Sequence, residues 1–180
     1  MARRARLSDL DAICRALPEV ELGTSWGDRP TYLVRQKPKP RGFVLERAPR
    51  HDAVDPETGE EYDDLLVIRT ATAGDKAALV EADGPFFTID HFRSYNAVLL
   101  QRGRIGELDV DELREVLTDA WLAVAPKALA KAFLGGGLDR LDQRGDGLDQ
   151  RGDGVDQRGD GVDRRGDGVD RRGDRREGER

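Results

Sequence analysis

Apolar residues recur along the first three-quarters of this chain with two different periods. Leu10, Ile13, Cys14 and Leu17 stand at i, i+3, i+4 and i+7, one stripe of a helix. Ser8 is placed to cap that helix, Asp11 follows three residues on as in a capping box, and Pro18 ends it. Two short runs rich in β-forming residues come next, at 31–35 and 42–46. A hairpin loop over 36–41, with Pro38 and Pro40, joins them. A polar stretch over 48–63 leads to 65–70, an apolar run of the kind that fills the centre of a sheet. Residues 75–82 read as a helix stopped by Gly84-Pro85, and 86–88 and 97–101 read as strands. The last helix has the clearest signals. Asp109 caps it, Glu112 completes the box, and Leu113, Val116, Leu117, Ala120, Trp121 and Val124 make one buried face. Pro126 interrupts it, and 127–134 add a short helical end. The order α, β-hairpin, β, α, β, β, α predicts an α+β fold: a mainly antiparallel sheet with helices packed on one face.

These periods stop at Gly135-Gly136-Gly137. Beyond them aromatic residues vanish and a unit (Leu/Val)-Asp-(Gln/Arg)-Arg-Gly-Asp-Gly repeats from Leu141, Leu148, Val155, Val162 and Val169. Each unit has a single aliphatic residue and two glycines, except the last, where Arg175 replaces the second. That is too little apolar surface to offset about 1–2 kcal/mol of backbone ordering per residue. One apolar position per heptad does not make a coiled coil, and the glycines oppose a helix. A seven-residue period is not the nonapeptide of calcium-binding β-rolls. The Arg-Gly-Asp triplets are a by-product of the repeat. The chain is therefore expected to divide into a flexible basic N-terminus (1–6), a folded domain (7–134) and a disordered tail (135–180).

Charge narrows the functional classes. The 180 residues hold 30 Lys+Arg and 36 Asp+Glu, a net charge of -6. The segment from Leu138 onward has 11 Arg against 13 Asp+Glu, so -4 of that total belongs to the preceding part. An acidic domain is not the usual footprint of a nucleic-acid binder, so any such role must be local. One local imbalance exists. From Arg29 to Arg50 the basic residues are Arg29, Arg35, Lys37, Lys39, Arg41, Arg47 and Arg50, opposed only by Glu46. A basic hairpin can set cations against phosphates. The same residues also discourage edge-to-edge aggregation of an exposed hairpin.

Cys14 has no partner for an intrachain disulfide, which fits a reducing cytoplasm, and its place on the apolar stripe marks a core thiol. No apolar run approaches the roughly 20 residues of a membrane helix, and no apolar segment of a secretory signal follows Arg3, Arg4 and Arg6. A cytoplasmic protein with no membrane partner is expected. The histidines are His51 and His91, and no P-loop, dinucleotide-binding, zinc or hydrolase motif is present. His51 lies in an acidic run with Asp52, Asp55, Glu57, Glu60, Glu61, Asp63 and Asp64. That run holds Pro56 and Gly59, lacks calcium-loop spacing and reads as a solvated turn. No metal and no cofactor are expected. Asp90 and His91 have the chemistry for acid–base work, but no nucleophile or oxyanion donor joins them, so 90–95 reads as a structured turn and no enzyme is expected.

Several segments together carry a resemblance. Ala16-Leu17-Pro18-Glu19-Val20-Glu21 precedes Thr24-Ser25-Trp26-Gly27. Then come Asp64-Leu65-Leu66-Val67-Ile68-Arg69, Asp90-His91-Phe92-Arg93-Ser94-Tyr95, and the run from Leu117 through Trp121 to Pro126-Lys127. In order and spacing this set resembles the MmcQ/YjbR-like family over about residues 7–134. The resemblance implies a frataxin-like, double-wing fold and DNA binding. The first wing is then the 35–41 hairpin, and His91, Phe92, Arg93 and Tyr95 belong to the second hairpin region. The 48–63 segment departs from the pattern in being longer and more acidic, and the repeat tail is no part of it.

The resulting expectation is a non-enzymatic protein that binds duplex DNA through phosphate contacts from Arg35, Lys37, Lys39, Arg41 and Arg47, with Arg93 and Tyr95 as auxiliary contacts. The alternative is a small-ligand or protein-interaction domain whose pocket includes Trp26, His91 and Tyr95. A third reading borrows the frataxin-like fold and puts a metal on Asp9, Asp11, Glu19 and Glu21.

Overall fold

The computed structural model describes residues 3–25 and 28–142, with side chains as far as Gly136. Of the tail expected to be disordered, 135–180, residues 135–142 are described and helical, and those from 143 onward lie outside the described residues. Six strands form one sheet in the order β1-β2-β3-β4-β6-β5, and every neighbouring pair is antiparallel. The strands are β1 Val20–Ser25, β2 Arg29–Val34, β3 Arg41–Glu46, β4 Leu65–Arg69, β5 Phe86–Phe87 and β6 Ala97–Gln101. Among the described residues four α-helices accompany them: α1 Leu7–Ala16, α2 Ala73–Glu81, α3 Val110–Leu122 and α4 Lys127–Asp142. The fold is α+β, an antiparallel sheet with helices packed on one face.

Strands β4 and β6 explain why residues 65–70 read as an unbroken apolar run. Successive side chains of a strand point to opposite faces. Leu66, Ile68, Val98 and Leu100 enter the core beneath the helices, beside Leu10, Ile13 and Cys14 of α1 and Leu113, Leu117 and Trp121 of α3. The alternate residues Leu65, Val67, Ala97 and Leu99 enter a second, smaller core on the other face, with Ala53 and Phe92. That second core is roofed by irregular chain from the 48–64 and 88–96 segments. Each such Leu, Ile or Val contributes roughly 1.5–3 kcal/mol when fully buried.

Three elements differ from the sequence expectation. Helix α1 starts at Leu7 rather than after Ser8, because Asp9 accepts from the Arg6 backbone N–H at 2.8 Å and supplies the cap. Strand β1 was not anticipated. It is half exposed and has no run of apolar residues, and it exists through its pairing with β2. Helix α4 continues to Asp142, past the expected end at Leu134 and through Gly135, Gly136 and Gly137. Glycine costs about 1 kcal/mol per residue in a helix interior, which is a penalty rather than a block.

Two features of the framework bear on the site. Strand β3 carries a bulge: Tyr32 pairs with Val44 but Leu33 pairs with Gly42, so Phe43 is the extra residue. Phe43 and Val44 are consequently both buried in the core beneath the helices. Helix α2 is capped by Thr72, whose hydroxyl accepts from Asp75 N–H at 3.1 Å. From that helix the buried Lys76 ammonium donates to three main-chain carbonyls, Phe92 O at 2.6 Å, Tyr95 O at 3.2 Å and Arg93 O at 3.3 Å. This fixes the segment that leads into β6.

Candidate nucleic-acid interface

The hairpin expected at 35–41 is the turn between β2 and β3. The last β2–β3 pair is Val34 with Arg41, so the turn spans 35–40. Arg35, Lys37, Lys39 and Arg41 are all exposed. Arg35 is engaged by Glu19 at 3.2 Å. Among the described residues, no ion pair involves Lys37, Lys39 or Arg41.

Strand register locates the second expected region. β3 runs antiparallel to β4 with Val44 opposite Ile68, and β4 ends with Arg69 opposite Ala97, the first residue of β6. The β2–β3 turn and the 88–96 segment therefore lie at the same end of the sheet. Strands β3 and β6 are separated there by the width of β4, about 10 Å between their axes. Within that segment Asp90–Phe92 form a single 3-10 turn. Arg93 is highly exposed but held by Asp90 at 2.6 Å. Tyr95 is exposed and stacks on His91, with ring centroids 5.9 Å apart and planes 25° from parallel.

Arg69 is a cation that sequence reasoning missed. It is the exposed last residue of β4, at the same end of the sheet, and no ion pair involves it among the described residues. It stands 28 positions after Arg41, inside a strand that was read only for its apolar run. The charge run 29–50 therefore did not include it. A signal was present: a charged residue closing an otherwise apolar run, Leu65 to Ile68, marks where the strand leaves the core.

Arg47 does not belong with these cations. Its side chain is 6% exposed and pairs with Asp52 at 2.5 Å, and its guanidinium lies 5.6 Å from the centroid of the Phe92 ring. Its Nη1 is buried without a hydrogen-bond partner. Arg47 anchors the 48–64 segment over the second core, which is why a surface role read from the charge run fails. The Arg47 hydrogen bond is also the main cause that lowers the Asp52 carboxyl below the ordinary carboxylate range, opposed by desolvation, with smaller help from His91. His91 Nδ1 lies 3.5 Å from Asp52 Oδ2.

Of the alternative pocket, the described residues bring His91 and Tyr95 together in their ring stack. Trp26 lies outside the described residues, and neither His91 nor Tyr95 lines the four clefts considered below. No group of three or more His, Cys, Asp or Glu among the described residues is placed to hold a metal ion. Asp9 is held by Arg3, Asp11 accepts from Tyr32 and Arg15, and Glu19 pairs with Arg35, so those carboxylates serve local structure. No helix among the described residues is long and apolar enough to cross a membrane.

No family model matches the chain. Uncharacterized proteins of Mycobacterium bovis and Mycobacterium tuberculosis are 43% identical to it over 72 residues, 39% of this chain and 54% of theirs. The chain thus matches about half the length of these curated relatives. A crystal structure of Deinococcus radiodurans protein DR2400, described as a DUF419 domain, superposes with a TM-score of 0.46 at 18% identity, over 71% of this chain and 86% of that one.

Proposed function

We propose that this protein is a non-enzymatic binding module that engages duplex DNA through the β2–β3 end of its sheet. Lys37, Lys39 and Arg41 would contact phosphates, with Arg69 beside them and Arg35, Arg93 and Tyr95 as auxiliary contacts. One observation carries the reading: in a chain of net charge -6, four exposed cations without an ion pair among the described residues gather at one end of the sheet. Cations already neutralised by a carboxylate have less to gain from a phosphate. Free ones release counterions from the duplex when they bind.

The experiment is fluorescence anisotropy with a labelled duplex at about 50 mM and about 200 mM salt, where phosphate-driven binding weakens steeply. Three or four phosphate contacts give a slope of log affinity against log salt of roughly -3 to -4, and each Lys or Arg removed lowers its magnitude by about 1. The variant K37A/K39A/R41A is expected to lose most of the affinity. No binding at the lower salt, or binding unchanged in that variant, sinks the proposal.

A further inference from the structure

Among four well-formed clefts of the described surface, three have at least one carboxylate in their lining: Glu81 and Asp90 in one, Asp11 and Glu46 in the second, Asp75 and Asp119 in the third. The fourth has a volume of about 440 Å³ and is lined by Lys39, Arg41 and Arg69 with no carboxylate at all. For an acidic chain that is a marked local reversal of sign. Such a site favours an anion.

The floor of this cleft is apolar. Leu33 and Leu45 are half-buried and both line it. Leu33 lies between two glycines, Gly23 of β1 and Gly42 of β3. A Cβ added at Gly23 would meet Leu33 Cδ1 at 2.7 Å, and one at Gly42 would meet Leu33 Cδ2 at 3.6 Å and Thr31 Cγ2 at 2.9 Å. The missing side chains let Leu33 lie along the sheet surface and keep the cleft open above it. Ser25 also lines the cleft, and its hydroxyl is hydrogen-bonded to Thr31 Oγ1 at 2.7 Å. A cationic rim, one fixed hydroxyl and a flat apolar floor, in a volume within the range of small-molecule sites, form a two-part receptor.

We infer that this cleft binds a small organic phosphate with a flat body, of which a mononucleotide is the fitting class. The phosphate is held by Lys39, Arg41 and Arg69, and the flat body covers Leu33 and Leu45. The cleft has the volume of one small molecule rather than of a duplex segment, so this is a separate binding mode, which shares Lys39, Arg41 and Arg69 with the DNA-binding end and does not depend on it.

Isothermal titration of the full chain with AMP, and separately with inorganic phosphate, tests the inference. AMP is expected to bind at least tenfold more tightly than phosphate, because only AMP covers the floor. Arg69→Gln, an exposed position whose replacement leaves both cores untouched, is expected to weaken AMP binding at least tenfold, and Arg69→Lys to restore part of it. Lys37→Ala, outside the cleft, is expected to leave AMP binding unchanged while weakening duplex binding, which separates failure of one reading from failure of the other. AMP bound no more tightly than phosphate, no heat with either, or AMP affinity unaffected by Arg69→Gln would each overturn the inference.

Discussion

Two buried groups show how surroundings decide what a residue does. Cys14 is fully buried, and desolvation, helped by the nearby Asp11, pushes its thiol up to about 12. It is expected to be silent toward a thiol reagent at about pH 8 in the folded protein and to react at once in denaturant; rapid labelling of the native chain would contradict its burial. Arg47 and Asp52 are the reverse case, a charge kept inside because it is paired. Asp52→Asn is expected to destabilise the fold by about 1–3 kcal/mol in urea titrations, since the guanidinium keeps its charge and loses its ionised acceptor. The pH dependence has a definite sign. The Asp52 carboxyl is lowered in the folded state, so the pair contributes fully above the ordinary aspartate range near about pH 4 and is lost as pH falls below it. Wild-type stability should therefore fall more steeply than that of Asp52→Asn as the pH is taken down through that range.

At the level of elements, local signals were legible where a helix or a buried strand announced itself. Asp109 and Glu112 marked the start of α3, which the structure places at Val110 with Asp109 accepting from Glu112 N–H at 2.9 Å. Removing that cap, Asp109→Ala, is expected to cost about 1 kcal/mol by thermal or urea unfolding. Strand β6 was read at its observed bounds, Ala97–Gln101. What could not be read was pairing between segments. Strand β1 depends on β2, Arg47 is buried by a segment that folds back across the sheet, and Arg69 reaches the hairpin end through register. None of these follows from the apolar periodicity of the segment itself: β1 needs its register with β2, Arg47 its cover by Phe92, and Arg69 the register of β4 with β3. Lys76 is another such element-to-element tie. Lys76→Met is expected to leave α2 helical but to speed amide exchange through 88–96, because three carbonyls lose their donor; unchanged exchange there would remove Lys76 from its anchoring role.

On the scale of the whole molecule, the sheet is asymmetric. Strands β4 and β6 are buried on both faces, whereas β1 is an edge strand that is half exposed. Hydrogen exchange of the native protein should follow that gradient, with the amides of β4 and β6 opening only with global unfolding and those of β1 far sooner. Uniform protection across all six strands would contradict it. The same asymmetry has a meaning for substitution. Leu33 belongs to neither core, and the residues around it line a surface rather than fill an interior. Substitutions at the exposed Lys39 or Arg69 can therefore be made with little cost to folding. A chain on this scaffold can change what it holds on the β1–β3 side at little loss of stability, while the two-sided packing of β4 and β6 constrains the other side.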